Sequence, residues 1–205
     1  LGDVYKRQGP TGSGKSTTLY SLLAERNDPG INISTVEDPI EYTLPGITQC
    51  QVNREKGFDF ATALRAFMRQ DPDVLLVGET RDLETAKTAI EAALTGHLVL
   101  STLHANDAPS TIARLDEMGV EPFMVSASLI GIISQRLLRR VCSHCREPYR
   151  PEVRELGRFG LMASREANVT FYRAHHHGPN EEVCPHCQGS GYKGRVGIYE
   201  VLRIQ

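Results

Sequence analysis

Three groups of residues in this 205-residue chain have types and spacings suited to chemistry. The first is GPTGSGKS at residues 9–16, which fits G-x-x-x-x-G-K-[ST] completely. Gly9, Gly12 and Gly14, with Pro10, Thr11 and Ser13 between them, allow backbone N–H groups to approach a phosphate chain closely. A helix starting near Lys15 would aim its positive dipole end at the same anion. The Lys15 ammonium then reaches the β- and γ-phosphates, and the Ser16 hydroxyl ligates Mg²⁺, with Thr17 following in the same turn. The ligand pair this motif calls for is ATP with Mg²⁺.

The second group is acidic and sits where strands are expected to end. VEDPIEY, residues 36–42, closes one apolar alternation, and VLLVGE, residues 74–79, closes a continuous apolar run. In open parallel sheets that edge is where ligands bind. Phosphoryl transfer needs one carboxylate near the metal and one group to orient the attacking water. Glu79 is read as the carboxylate near Mg²⁺, and Glu37 or Glu41 as the group on the water. His97 and His104 flank the strand-like HLVLSTLH. His104 falls at the same edge and is read as a γ-phosphate sensor. Arg65, Arg69 and Arg81 flank the second acidic segment, either pairing with its acids or reaching a neighbouring subunit's phosphates.

The third group is CSHC and CPHC. Four of the five cysteines fall in these pairs, Cys142/Cys145 and Cys184/Cys187, and Cys50 stands apart. Four thiolates satisfy tetrahedral Zn²⁺ with no open position, which is a structural rather than catalytic site. His144 and His186 inside the knuckles are weaker ligand candidates. The run His175-His176-His177 reads as a polar loop with adventitious metal affinity.

The elements that must carry these groups follow from periodicity and turn chemistry. Strands are expected over residues 31–36, 74–77 and 97–103. Helices are expected from Ser16 to about Arg26 and over 60–69. Another runs from an Asp82 cap to Thr95, with Gly96 past its end, and another from Asp107 or Asn106 to near Gly119. Residues 122–140 read as one long amphipathic helix. Strands alternating with helices of this length argue for an α/β fold, a parallel sheet with helices on both faces. From residue 141 to about 191 the composition turns to Cys, His, Gly and Pro, and reads as a small appended module. Residues 1–8, LGDVYKRQ, are too polar for a buried parallel strand and are set aside as a non-native segment. Residues 9–140 form the main domain, and residues 192–205 return to it. Both ends read as cut. A formal net charge of −2 does not suggest a nucleic-acid partner, and no apolar run is long enough to span a bilayer.

GPTGSGKSTTLY, VEDPIEY, LRAFMRQDPDVLLVGETRD, ALTGHLVLSTLHANDA, QRLLRRVCSHC and GYKGRVGIYEVL occur in that order. Together they resemble the Walker A, Asp box, atypical Walker B, His box and zinc motif of type II secretion and type IV pilus assembly ATPases. The resemblance runs from Gly9 almost to Gln205. It implies a RecA-like P-loop domain working as a homohexamer, driving an inner-membrane platform protein so that pilins or pseudopilins are extruded. By this likeness Lys15 and Ser16 bind phosphate and Mg²⁺, Glu79 takes the Walker B role, and Glu41 rather than Glu37 activates water. His97 and His104 correspond to the His box. The cysteine module implies assembly or secretion rather than retraction. The implied location is cytoplasmic, at the inner membrane through protein partners. Two other readings remain: a nucleic-acid-binding zinc module coupled to a nucleotide switch, resting on Arg136, Arg139, Arg140, Arg146 and Arg150, and a conjugation-type hexameric ATPase.

Overall fold

A computed structural model describes residues 3–6, 14–105, 107–158, 170–178 and 181–204. The chain divides into two compact units, Leu1–Arg136 with Ile198–Gln205, and Leu137–Gly197. In chain order the strands are β1 (Asp3–Lys6), β2 (Ile33–Glu37), β3 (Thr48–Gln51), β4 (Val74–Val77), β5 (Leu98–Leu103), β6 (Gly131–Val141), β7 (Glu147–Tyr149), β8 (Phe171–Arg173) and β9 (Tyr192–Arg203). The helices are α1 (Lys15–Arg26), α2 (Phe60–Phe67), α3 (Leu83–Leu94), α4 (Ala108–Glu117), α5 (Pro122–Ser128) and α6 (Val153–Arg158). One sheet is ordered β3-β2-β4-β5-β1-β6-β9, and β7 pairs with β8 antiparallel. The pairs β2–β3, β2–β4, β4–β5, β1–β5 and β1–β6 are all parallel.

Alternation along β4 sets the layers. Leu75 and Val77 bury against Phe60, Leu64 and Phe67 of α2 and Ala89 and Ala92 of α3. Val74 and Leu76 face the other way, against Leu19, Tyr20 and Leu23 of α1. Because successive strand residues point to opposite faces, a continuous VLLV run needs apolar cover on both. The expected α/β parallel sheet with helices on both faces is therefore present. Asp82 and Asp107 cap α3 and α4, each accepting a backbone N–H at 2.8 Å, from Thr85 and Ser110 respectively. Asn106, the other candidate start for α4, lies outside the described residues.

Three segments depart from the sequence reading. Residues 3–6 do form a parallel strand, in register with both β5 and β6, with Val4 opposite Ser101 and Ile132. Two rows of backbone partners, together with the strand preference of Val4 and Tyr5, outweigh the polar composition that argued against it. The long helix expected over 122–140 is instead α5 followed by β6. Leu129 is already extended at φ −83°, ψ 118°. Gly131 and the β-branched pair Ile132-Ile133 then favour a strand, and sheet pairing overrides the helical spacing of apolar residues such as Leu129, Ile133 and Leu137. Residues 48–51, for which no element was expected, form the edge strand β3. Its Cys50 is half-buried and packs on the α2–α3 side of the core. Among the described residues no helix is long and apolar enough to cross a membrane.

Candidate functional site

Parallel strands bring their C-terminal ends to one edge of the sheet. Glu37 ends β2, Glu79 lies two residues past β4, and His104 lies one past β5. At that edge the first turn of α1 begins, behind Gly14, whose φ of 87° lies in the left-handed region that glycine enters without strain. A cleft of about 150 Å³ is lined there by Ser16, Tyr20, Glu37, Glu41, Glu79 and Thr102, among others. The first-turn N–H groups of a helix have no intrahelical acceptor, so the N-terminus of α1 favours an anion. Gly9, Pro10, Thr11, Gly12 and Ser13 lie outside the described residues, as does the Lys15 side chain. Thr17 is exposed, and Thr18 donates to Gln135 at 2.7 Å.

The two candidate glutamates of residues 36–42 are unlike each other. Glu37 is 5% exposed, and its carboxylate accepts bonds from Tyr20 Oη, Thr35 Oγ1 (2.7 Å) and Gln49 Nε2 (3.1 Å). Burial raises the Tyr20 hydroxyl well above its usual pKa, and the bond to Glu37 raises it further, so Tyr20 remains a donor. Tyr20 Oη also accepts the Glu41 N–H at 3.4 Å, and its ring meets Tyr42 edge-on at 4.5 Å. Glu37 is thus bound by three donors, while Glu41 is exposed on the cleft wall with its backbone tethered to the same tyrosine. Sequence reasoning missed Tyr20, Thr35 and Gln49, whose roles arise only when α1, β2 and β3 are packed together. Tyr20→Phe should lower stability by about 1–3 kcal/mol, by leaving a buried carboxylate one donor short. Urea unfolding of the chain measures this, and an unchanged midpoint would show that Glu37 does not depend on that bond.

Glu79 is mostly buried, with one carboxylate oxygen on the Arg81 guanidinium and the other on His104 Nε2. The bond to Glu79 holds Arg81 more firmly protonated than usual. Gly78 has a steric reason for its place before Glu79. A Cβ there would come within 3.2 Å of both Glu37 Cα and Val36 O, backbone atoms that cannot swing aside. The Gly78 N–H donates to Val36 O at 2.8 Å, and its carbonyl accepts from Thr102 Oγ1 at 2.6 Å. Arg65 pairs with Glu84 at 2.9 Å, outside the cleft lining.

His97, which the resemblance groups with His104 in the His box as a nucleotide-binding residue, sits before β5 at the opposite strand end from His104. The six residues of β5 separate them by roughly 20 Å. Its Nδ1–H donates to Ala92 O at 2.8 Å, beside Thr95 Oγ1 at 3.1 Å, and so caps the C-terminus of α3. Within one chain, His97 closes a helix and does not line the cleft.

In the unit Leu137–Gly197 the Sγ atoms of Cys142, Cys145, Cys184 and Cys187 lie within 4.8 Å of one another. Cys145 and Cys187 are 3.6 Å apart. Four sulfurs at about 2.3 Å from a tetrahedral Zn²⁺ are about 3.8 Å from each other, so the donor set fits that ion. The thiols do not ionise independently. Burial, with the hydrogen bonds its thiol donates to the neighbouring cysteines, pushes Cys145 up to about 12. Cys187 is also raised by burial, but N–H donation from Gly191 and its thiol bonds outweigh this and bring it to about 6. His144 and His186 stack on each other, centroids 3.5 Å apart, and are not among the clustered ligands. Arg139 lies over Tyr192 at 4.1 Å and Arg146 over Tyr172 at 3.7 Å, so two of the arginines considered for nucleic acid are engaged by aromatic rings.

A parallel α/β sheet with helices on both faces, and with a helix N-terminus, acids and a histidine gathered at its C-terminal edge, defines a RecA-like P-loop protein. The family described as Type II/IV secretion system protein matches residues 8–205, and the chain belongs to it. It is 55% identical over 201 residues to the type IV pilus assembly ATPase PilB of Thermus thermophilus, covering 98% of this chain and 22% of that protein. It is 50% identical over 196 residues to the type II secretion system ATPase E of Vibrio cholerae, covering 96% of this chain and 37% of that one. Its structure is similar to that of the pilus retraction motor PilT with bound ADP, at a TM-score of 0.61 and 46% identity, over 70% of this chain and 44% of that one. The chain thus spans less than half the length of these relatives.

Proposed function

We propose that this chain is the nucleotide-hydrolysing part of a hexameric motor subunit that powers pilus assembly or type II secretion. One observation carries the reading: Ser16, Glu37, Glu41 and Glu79 line a single cleft at the first turn of α1. Residues 9–17 hold the phosphates of ATP, with Lys15 as the cation and the α1 N-terminus as the dipole. Ser16 and Glu79 offer hard oxygen donors to Mg²⁺, which when bound would neutralise charge on the phosphates. Glu41, exposed on the cleft wall, orients the attacking water. Glu37, held by three donors, fixes the loop that carries Glu41. His104 and Arg81, now on Glu79, would respond to the terminal phosphate, a reading supported by their contact with the proposed Mg²⁺ carboxylate.

Residues 9–140 with 192–205 make the motor domain, and residues 141–191 a zinc module held by Cys142, Cys145, Cys184 and Cys187. The thiol cluster and the names of the relatives favour assembly or secretion over retraction. The subunit works in the cytoplasm, held at the inner membrane by a platform protein. The test is Mg²⁺-dependent ATP hydrolysis by the full-length parent. Lys15→Ala is expected to abolish turnover, and hydrolysis persisting at the wild-type rate would overturn the reading.

A further inference from the structure

We propose that His175, His177 and Glu181 form a second divalent transition-metal site, distinct in its residues from the four thiols, with two imidazole nitrogens, one carboxylate oxygen and an open position. One ligand atom from each lies within 4.8 Å of the others. Three ligands at about 2.0–2.1 Å from a tetrahedral ion stand about 3.4 Å apart, so side-chain rotation suffices to close the set. Nitrogen with carboxylate oxygen is a donor set of borderline hardness, suited to Zn²⁺ or Co²⁺ rather than Mg²⁺.

The surroundings are those of a ligating histidine. His175 Nδ1 bonds to Glu147 Oε1, and Arg173 Nε holds the other oxygen of Glu147 at 3.0 Å. A carboxylate on one ring nitrogen fixes the tautomer and leaves the other nitrogen basic, the usual arrangement behind a metal-bound imidazole. That other nitrogen, Nε2, faces Glu181 Oε2 at 2.9 Å. Glu181 is in turn positioned by the Gly178 N–H at 2.9 Å.

An imidazolium at His175 bridging two carboxylates would account for those contacts with no metal. It leaves His177 unexplained. Both His177 ring nitrogens are buried and have no hydrogen-bond partner among the described residues. The His177 ring meets that of His175 edge-on at 4.5 Å. An imidazole buried without partners carries a desolvation cost that coordination would remove. His176, between the two, is exposed and outside the group, so the site is not a simple histidine run.

Elemental analysis of the full chain after equilibration with Zn²⁺ tests this. About two Zn²⁺ per chain are expected in the wild type and in His176→Ala, and about one in His177→Ala and Glu181→Gln. Glu147→Gln should weaken the second ion about 10–100-fold while leaving the first. Glu181 is half-exposed, so its substitution does not endanger folding. Parallel Co²⁺ titration keeps the result decisive, since thiolate charge-transfer bands report the four-cysteine site separately. Loss of the second equivalent with those bands intact supports the site. A wild type holding one ion, or a second equivalent that survives Glu181→Gln or falls equally with His176→Ala, overturns it.

Discussion

Glu79→Gln in the full-length parent is expected to lower kcat for ATP by about 10²–10³-fold while leaving ATP affinity within a few-fold of wild type. In the structure Glu79 is held by Arg81 and His104, whose side chains are 57% and 55% exposed. Gln keeps one acceptor oxygen, and water solvates whichever cation is released. Because both cations stay open to water, which screens such pairs to about 0–1 kcal/mol, the fold should scarcely register the change even though Glu79 itself is mostly buried. Catalysis should register it strongly. In the role proposed for it, Glu79 is the carboxylate offered to Mg²⁺, and an amide supplies no formal charge to the ion. The two consequences differ by several-fold in free energy, which makes the variant diagnostic. A large loss of kcat with an unchanged melting temperature supports the assigned role. A wild-type kcat, or loss of ATP binding in step with loss of fold, would show Glu79 to be a structural anchor for Arg81 and His104.

The parts of this fold that are legible in sequence are those whose cause is local. VLLV reads as a central strand because four consecutive apolar residues need cover on both faces. Asp82 and Asp107 read as caps because the side chain reaches its own third residue. The glycine loop and the two CxxC pairs carry their spacing with them. What escapes is set by distant partners. Residues 3–6 become β1 because a slot lies between β5 and β6, roughly 100 and 130 residues on. Residues 131–141 become β6 because β1 and β9 flank it in the sheet, although Ile133, Leu137 and Val141 keep helical spacing. The Tyr20–Glu37 bond joins residues 17 apart, and His175–Glu147 joins residues 28 apart, with no periodic signal between them. His97 and His104 look equivalent in HLVLSTLH, and the polarity of a parallel strand separates them. The composition that argued against β1 was real. It was answered by backbone pairing, which composition does not report.

Cys142→Ser should release the metal and unfold residues 137–197 while leaving the sheet of the first unit intact. The reason is what else is available to hold that unit. Its described buried apolar residues are Cys142, Ala174, Cys184 and Cys187. The larger apolar side chains Leu138, Tyr172, Val183 and Val196 are exposed. A unit with so little apolar burial cannot offset the backbone entropy of ordering, and units of this size are commonly held by metal or disulfide. The cysteines are free thiols here, clustered as a tetrahedral ion requires. Structural zinc contributes on the order of 10–16 kcal/mol in small metal-dependent domains, far more than a buried thiol contributes by packing. Hydrogen exchange on the variant should therefore lose protection across β7, β8 and the knuckles, and retain it in β2, β4 and β5. Chelation of the wild type by a strong zinc ligand under reducing conditions should give the same pattern, linking the effect to the ion rather than to the serine. Protection retained in residues 137–197 after complete zinc removal would mean that this unit folds on contacts other than its thiolates.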